Sequence, residues 1–194
     1  AEVPEPRAWH EEVRLFEVRD AASATHIGWF YADLHPRPGK YGHAMADILR
    51  TPCRAADGSR ALGVASIVMN VPRATETGPA RLRHEDVAVL FHEFGHILHQ
   101  VLGTNAYHGT AMDQIEADFV EAISQIMENW AWEPAILHRV GRHHETGEPM
   151  PLELAERLAS TRHVNLGSKY LRSFGGYADF DRMVRRPLIW AGMK

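Results

Sequence analysis

His92, Glu93 and His96 stand in the run His-Glu-Phe-Gly-His, two imidazoles four residues apart with a carboxylate beside the first. On a helix this spacing puts both imidazoles on one face, roughly 5–6 Å apart at Cβ. Two ring nitrogens can then meet one zinc ion at about 2.0–2.1 Å each. Glu93 is turned about 100° round the helix from His92. It is poorly aimed at the same ion, yet it can reach a water held there and accept its proton. The chemistry these residue types support together is metal-assisted hydrolysis, with His92 and His96 as ligands and Glu93 as general base. In a chain of this composition the pattern arises by chance with a probability on the order of 0.1, the plain alternative being surface histidines on a helix.

The setting argues against chance. From about Glu85, the residues Val87, Leu90, Phe91, Phe94, Ile97, Leu98 and Val101 recur at three- and four-residue steps, which predicts an amphipathic helix with the two histidines off its apolar stripe. Glu85 and Asp86 suit its positive end, and Gly103 is a natural terminator. A catalytic zinc also needs a third protein ligand and an open position. A second helix, about Met112 to Trp130, is read with Ile115, Phe119, Ile123, Ile126 and Trp130 as its core stripe. It carries Glu116, Asp118, Glu121 and Glu128. Periodicity makes an acidic ligand available on this helix but does not choose among Glu116, Asp118 and Glu121.

The elements that must position these groups follow from patterning. Val13 to Val18 alternates, Ile27 to Leu34 is aromatic-rich and ends at the turn signal HPRPGK, and Ala61 to Val71 follows AADGSR and stops at Pro72. Three strands of this kind predict a small, mainly antiparallel sheet, and Ala65 to Asn70 could offer an edge to an extended peptide. Further helices are expected over Glu133 to His144 and Leu152 to Ser160, with a glycine-weakened helical tail from Val164. Strands at about 13–71 followed by helices at about 85–185 give an α+β class, predominantly α, in one minimal catalytic domain spanning 1–194.

Composition narrows the function classes. The 194 residues are 45% hydrophobic and 24% charged with a net charge of −4, ordinary for a globular chain, so no electrostatic claim on nucleic acid or an anionic membrane follows. Cys53 is the only cysteine, which excludes an intrachain disulfide or a thiolate metal cluster and fits a reducing compartment such as the cytoplasm. No stretch approaches the roughly 18 apolar residues that span a bilayer, and the first residues lack the apolar core of a secretory signal. Thirteen histidines raise the expectation of a metal site.

FHEFGHILHQ followed by EADFVEAISQIMENWAWEP resembles the thimet oligopeptidase, neurolysin and oligopeptidase A family of zinc peptidases. WHEEVRLFEVRDA, GWFYADLHPRPGKYGHA and DGSRALGVASIVMN upstream, and RHHETGEPMPLELAERLASTRHVNLG downstream, are similar to that family's catalytic part as well, so the likeness runs from about Trp9 to Asp181. The resemblance implies that the third zinc ligand is the glutamate of DFVE, Glu121, giving a gluzincin-type HExxH site with one Zn²⁺ per chain. It also implies cleavage of peptide substrates. Three departures stand out. Ile123 occupies a position where the family usually has proline, and its loss should smooth the second helix. The family's members are much longer, with a helical region ahead of the catalytic part. Their His/Tyr-rich, Gly-Tyr substrate loop falls beyond the end of this chain. FGGYADF has the look of that loop, but its flanks align with a preceding helix, so Tyr177 is read as structural. Tyr107, His108, His163 and Tyr170 remain candidate oxyanion donors. His99 is read as bordering the site, and one of Asp118, Ser124 and Gln125 as a possible partner orienting His92 or His96.

The expectation is a zinc-dependent metalloendopeptidase or oligopeptidase. The alternative is a zinc-binding catalytic core or degenerate paralogue that lacks independent activity and needs a partner. A family core without its neighbours should expose apolar surface, which a homodimer would cover.

Overall fold

The alternating segments of the first third pair into one sheet on which the metal-motif helix lies. A computed structural model describes residues 1–163 except 5, 6, 77 and 105–111, with the backbone alone at 113, 117, 118 and 163. Its strands are β1 (Glu2–Val3), β2 (Arg14–Arg19), β3 (His26–Asp33), β4 (Met45–Arg50), β5 (Cys53–Arg54), β6 (Arg60–Ala61) and β7 (Gly63–Val68). The helices are α1 (His84–Leu102), α2 (Ala117–Glu128), α3 (Pro134–Val140) and α4 (Leu152–Ser160), with 3-10 turns at Met112–Gln114, Asn129–Trp132 and Thr161–His163.

The main sheet has five strands in the order β1-β2-β3-β7-β4, and β5 and β6 form a separate hairpin. Every pairing in the main sheet is antiparallel except β3 with β7, which run parallel. The expected mixed class with a mainly antiparallel sheet is therefore present. The details differ in three places. The expected strand at 61–71 is split at Leu62 and ends earlier, at Val68. The strands β1, β4 and β5 were not read from the sequence. And β7 is an interior strand paired on both sides, so it does not offer the free edge expected at Ala65 to Asn70; the outer strand on that side is β4.

One face of the sheet forms the core with α1. Ala32, Ala65, Ile67, Met69, Ile97 and Val101 are buried together, and Phe16, Phe30, Leu90 and Phe94 pack against them. Phe30 links the layers, stacked on Phe16 with ring centroids 5.1 Å apart and edge-on to Phe94 at 5.6 Å. Gly28 and Gly63 are register partners across β3 and β7. A Cβ on Gly28 would fall 2.9 Å from Val101 Cγ1, so the absent side chain lets the end of α1 settle on the sheet. At the N-terminus of α1 the Arg83 backbone N–H donates to the Asp86 carboxylate at 2.9 Å. After Leu102 the chain leaves through Gly103 in an extended rather than left-handed conformation.

At the end of β3 a charged cluster is buried. Asp33 receives two hydrogen bonds from the Arg37 guanidinium, at 2.6 and 2.7 Å, one from Trp9 Nε1 at 2.8 Å, and an ion pair from Lys40 at 2.8 Å. Lys40 also donates to the carbonyls of Asp33, His35 and Met69, so its ammonium is fully partnered. Burial pushes the Asp33 carboxyl up, but these donors together hold it well below the usual carboxylate range.

The second helix is shorter than its periodicity suggested, and α2 runs without interruption through Ile123. Its expected core stripe is corrected: Phe119 and Ile126 are 61% exposed and Trp130 49%. The face of α2 that meets α1 carries Ser124 and Met127, with Ile123 of the expected stripe reaching Gly95 through its carbonyl oxygen. The third expected helix stops at Val140, leaving His143 and His144 in a turn. Among the described residues no helix is long and apolar enough to cross a membrane.

Candidate metal centre

His92, Glu93 and His96 all project from the middle of α1, where the helix is pinned between the sheet and α2. Packing against α2 depends on Gly95: a Cβ there would lie 2.7 Å from Ser124 Cα and 3.2 Å from the Ile123 carbonyl oxygen. Without a side chain at this point the two helix backbones approach closely, and α2 presents Glu121 to the histidines. Glu121 Oε2 lies 3.1 Å from His92 Nε2 and 3.5 Å from His96 Nε2.

His92, His96 and Glu121 are the group among the described residues that could hold a metal ion, with one donor atom from each all within 4.8 Å of one another. Donors at about 2.0–2.1 Å around a tetrahedral ion stand roughly 3.3 Å apart, so the two measured separations straddle that spacing. Two neutral imidazole nitrogens and one carboxylate oxygen are also a donor set suited to zinc. Burial pushes the His96 imidazole down, with the neighbouring His92 and His99 adding to this against Glu121. The neutral ring that can ligate is thereby favoured.

Partners surround the cluster. Ser124 is fully buried and its hydroxyl donates to Glu121 Oε2 at 2.7 Å, while bonding the Glu121 carbonyl one turn back at 2.8 Å. His92 Nδ1 lies 2.7 Å from Glu128 Oε1. Of the partners considered from sequence, Ser124 therefore engages the carboxylate rather than a histidine, and Gln125 is exposed. Glu128, which holds His92, was not singled out. The available signal was its spacing of seven residues from Glu121, two turns along the same helical face.

Glu93 is buried beside the cluster and outside it. Burial pushes its carboxyl up and the Glu121 charge adds to this, while His92 and a hydrogen bond from the Ala46 backbone N–H on β4 pull the other way. A carboxylate poised above its ordinary range is a better proton acceptor near neutrality.

Of the remaining sequence candidates, Glu116 is exposed at the N-cap of α2 and stands apart from the group. His99 does not join it, and its Nδ1 is buried with no hydrogen-bond partner, as is His96 Nδ1. His163 closes the last 3-10 turn, its side chain outside the described residues along with that of Asp118. Tyr107, His108, Tyr170 and Tyr177 also lie outside the described residues.

The sequence profile of peptidase family M3 matches residues 2–184. Thimet-like oligopeptidase of Dictyostelium discoideum is 36% identical over 186 residues, covering 94% of this chain and 28% of its own length. Saccharolysin of Saccharomyces cerevisiae is 37% identical over 163 residues, 81% of this chain and 23% of its own. Oligopeptidase A of Escherichia coli strain K12 is 39% identical over 174 residues, 89% and 25% respectively. The chain thus spans about a quarter of the length of the relatives it matches. A match over nearly the whole chain, with related sequences on both sides of the His92–His96–Glu121 group, means that this chain belongs to peptidase family M3.

Proposed function

We propose that the chain is the catalytic core of a zinc-dependent endopeptidase or oligopeptidase, a single domain over 1–194 acting on peptide substrates. His92, His96 and Glu121 hold one zinc ion, and Glu93 is the general base. The observation that carries this reading is the convergence of three donor atoms of ligand type on one point beside a buried carboxyl pushed above its ordinary range.

Bound zinc would polarise the peptide carbonyl and lower the pKa of the attacking water. Glu93 takes the proton from that water and then delivers it to the leaving amine. The Ala46 N–H steadies the Glu93 carboxylate, tying the base to the sheet. Because β4 is the outer strand next to the base, an extended peptide adding along it would bring its backbone past Glu93.

The test is a fluorogenic peptide assay on the metal-replete chain, with elemental analysis of zinc, for wild type and Glu93→Gln. Stoichiometric zinc in both, with activity lower by about 10²–10⁴-fold in the variant, is expected. Equal activity in the two proteins would sink the assignment of the base.

A second reading is favoured by the exposed Phe119, Ile126 and Trp130. Here the chain holds zinc but turns over peptides only when a partner, such as a second copy in a homodimer, covers that face. Zinc at one per chain without hydrolysis of a broad peptide library, together with a monomeric sedimentation profile, would support it.

A further inference from the structure

We propose that Glu128 is a positioning residue for His92, fixing which ring nitrogen carries the proton so that Nε2 offers its lone pair to a metal. The proposal rests on the reading of His92 as a ligand. A neutral imidazole has one N–H and one lone pair, and an ionised carboxylate only accepts. His92 lies between two carboxylates that ask for opposite tautomers. Glu121 Oε2, 3.1 Å from Nε2, draws the proton to the nitrogen that must be free for ligation. Glu128 Oε1, 2.7 Å from Nδ1, draws it to the other side. The Nδ1 contact is the shorter, and charge-assisted N–H···O bonds strengthen in this range. Glu128 therefore sets the Nδ1–H form and holds the ring plane as well.

His96 has no counterpart, since its Nδ1 is buried without a partner. The two histidines are thus held by different means: His96 by burial in packed surroundings, and His92, the more exposed of the two, by Glu128. The single helix α2 delivers Glu121 and Glu128 two turns apart, so docking of that helix places ligand and orienting group in one step. Loss of such an outer hydrogen bond weakens metal binding by about 10–100-fold in comparable sites.

The experiment measures imidazole ¹⁵N shifts of His92 in the metal-free chain under alkaline conditions. It also measures zinc affinity by competition with a chromogenic chelator, in wild type, Glu128→Ala and Glu128→Gln. Wild type should show a protonated Nδ1 and an unprotonated Nε2. In Glu128→Ala the tautomers should mix and zinc affinity should fall by about 10–100-fold. Glu128→Gln, whose amide oxygen still accepts, should restore the wild-type nitrogen pattern, a rescue that a merely structural role would not give. Thermal midpoints of the metal-free variants check that the helices remain docked. Wild-type nitrogen shifts and affinity in Glu128→Ala would overturn the proposal. If wild type itself takes up no zinc, the metal reading of the site falls and the nitrogen shifts alone decide the role of Glu128.

Discussion

Gly95 on α1 and Ser124 on α2 meet backbone to backbone, at a point where a β-carbon on Gly95 would stand 2.7 Å from Ser124 Cα. The contact lies within the same turns as His92, His96 and Glu121, so the separation of the two helices and the span of the donor cluster are one quantity. Gly95→Ala gains helix propensity of about 1 kcal/mol. It loses about 1–3 kcal/mol to overpacking against atoms that cannot swing aside. A net loss of stability in urea is expected, with weaker zinc binding by chelator competition because Glu121 is pushed away from the imidazoles. A stabilised variant of unchanged affinity would show that the helices are further apart than described.

Ser124→Ala removes the hydroxyl that bonds Glu121 Oε2 while leaving the helix contact unfilled by only one atom. Stability should drop by about 0.5–1.5 kcal/mol, the ordinary worth of one hydrogen bond. Zinc affinity should fall by about 10-fold, since the carboxylate regains rotamer freedom. Ser124→Cys, with a weaker donor of similar shape, should fall between. Isothermal titration of the metal-free proteins checks the order.

Glu93 gives a pH signature in the metal-free chain. Its folded-state pKa is raised, chiefly by burial, so its contribution favours the fold in acid and is lost as pH rises through the raised value. Glu93→Gln abolishes that titration. The variant should melt higher than wild type at neutral pH, and the gap should close below the ordinary glutamate value of about 4.3. Adding zinc should shrink the neutral-pH gap, because a nearby cation favours the charged carboxylate. Calorimetry across pH measures both, and a gap independent of pH would contradict the burial effect.

Asp33 has the opposite sign. Its folded-state pKa is depressed, so its contribution is present above the ordinary aspartate range and is lost as pH falls through it. Asp33→Ala would leave Lys40 buried without its carboxylate partner. Removing one side of a buried pair costs about 3–5 kcal/mol. Denaturation midpoints should show that loss, while zinc affinity of the protein that remains folded should stay within about twofold, because no member of this cluster touches His92, His96 or Glu121.

Much of this arrangement was legible in the sequence for physical reasons that also mark its limits. The apolar period of 87–101 found α1 because one side of that helix is pressed on a sheet. The alternating runs found β2 and β3. The strand β4 escaped because MADILR occupies an outer position that is half exposed, so nothing enforces a clean alternation. Periodicity failed on α2 for a different reason. Phe119 and Ile126 on α2, and Trp130 in the turn after it, are exposed, while the face that binds α1 meets Gly95 through Ser124, Met127 and the Ile123 carbonyl. An apolar stripe reveals that a helix wants company, without saying where that company stands. The histidine pair was visible from spacing alone. Among Glu116, Asp118 and Glu121, spacing did not choose, and only family likeness pointed to Glu121. The position of Glu121 beside His92 and His96 follows from helix docking at Gly95.

The hydrogen bond from the Ala46 N–H to Glu93 has a consequence for how such a protein can change over generations. On the proposed zinc-peptidase reading, ion capture would depend on the seam between α1 and α2, whereas the proton acceptor Glu93 would be steadied from the outer strand of the sheet. The two capacities therefore answer to different mutations. Drift confined to β4 could silence turnover while leaving an intact metal trap, and drift along the helix seam would abolish both at once. On that reading, a lineage descending from this chain would have a one-way exit from catalysis that preserves ion binding.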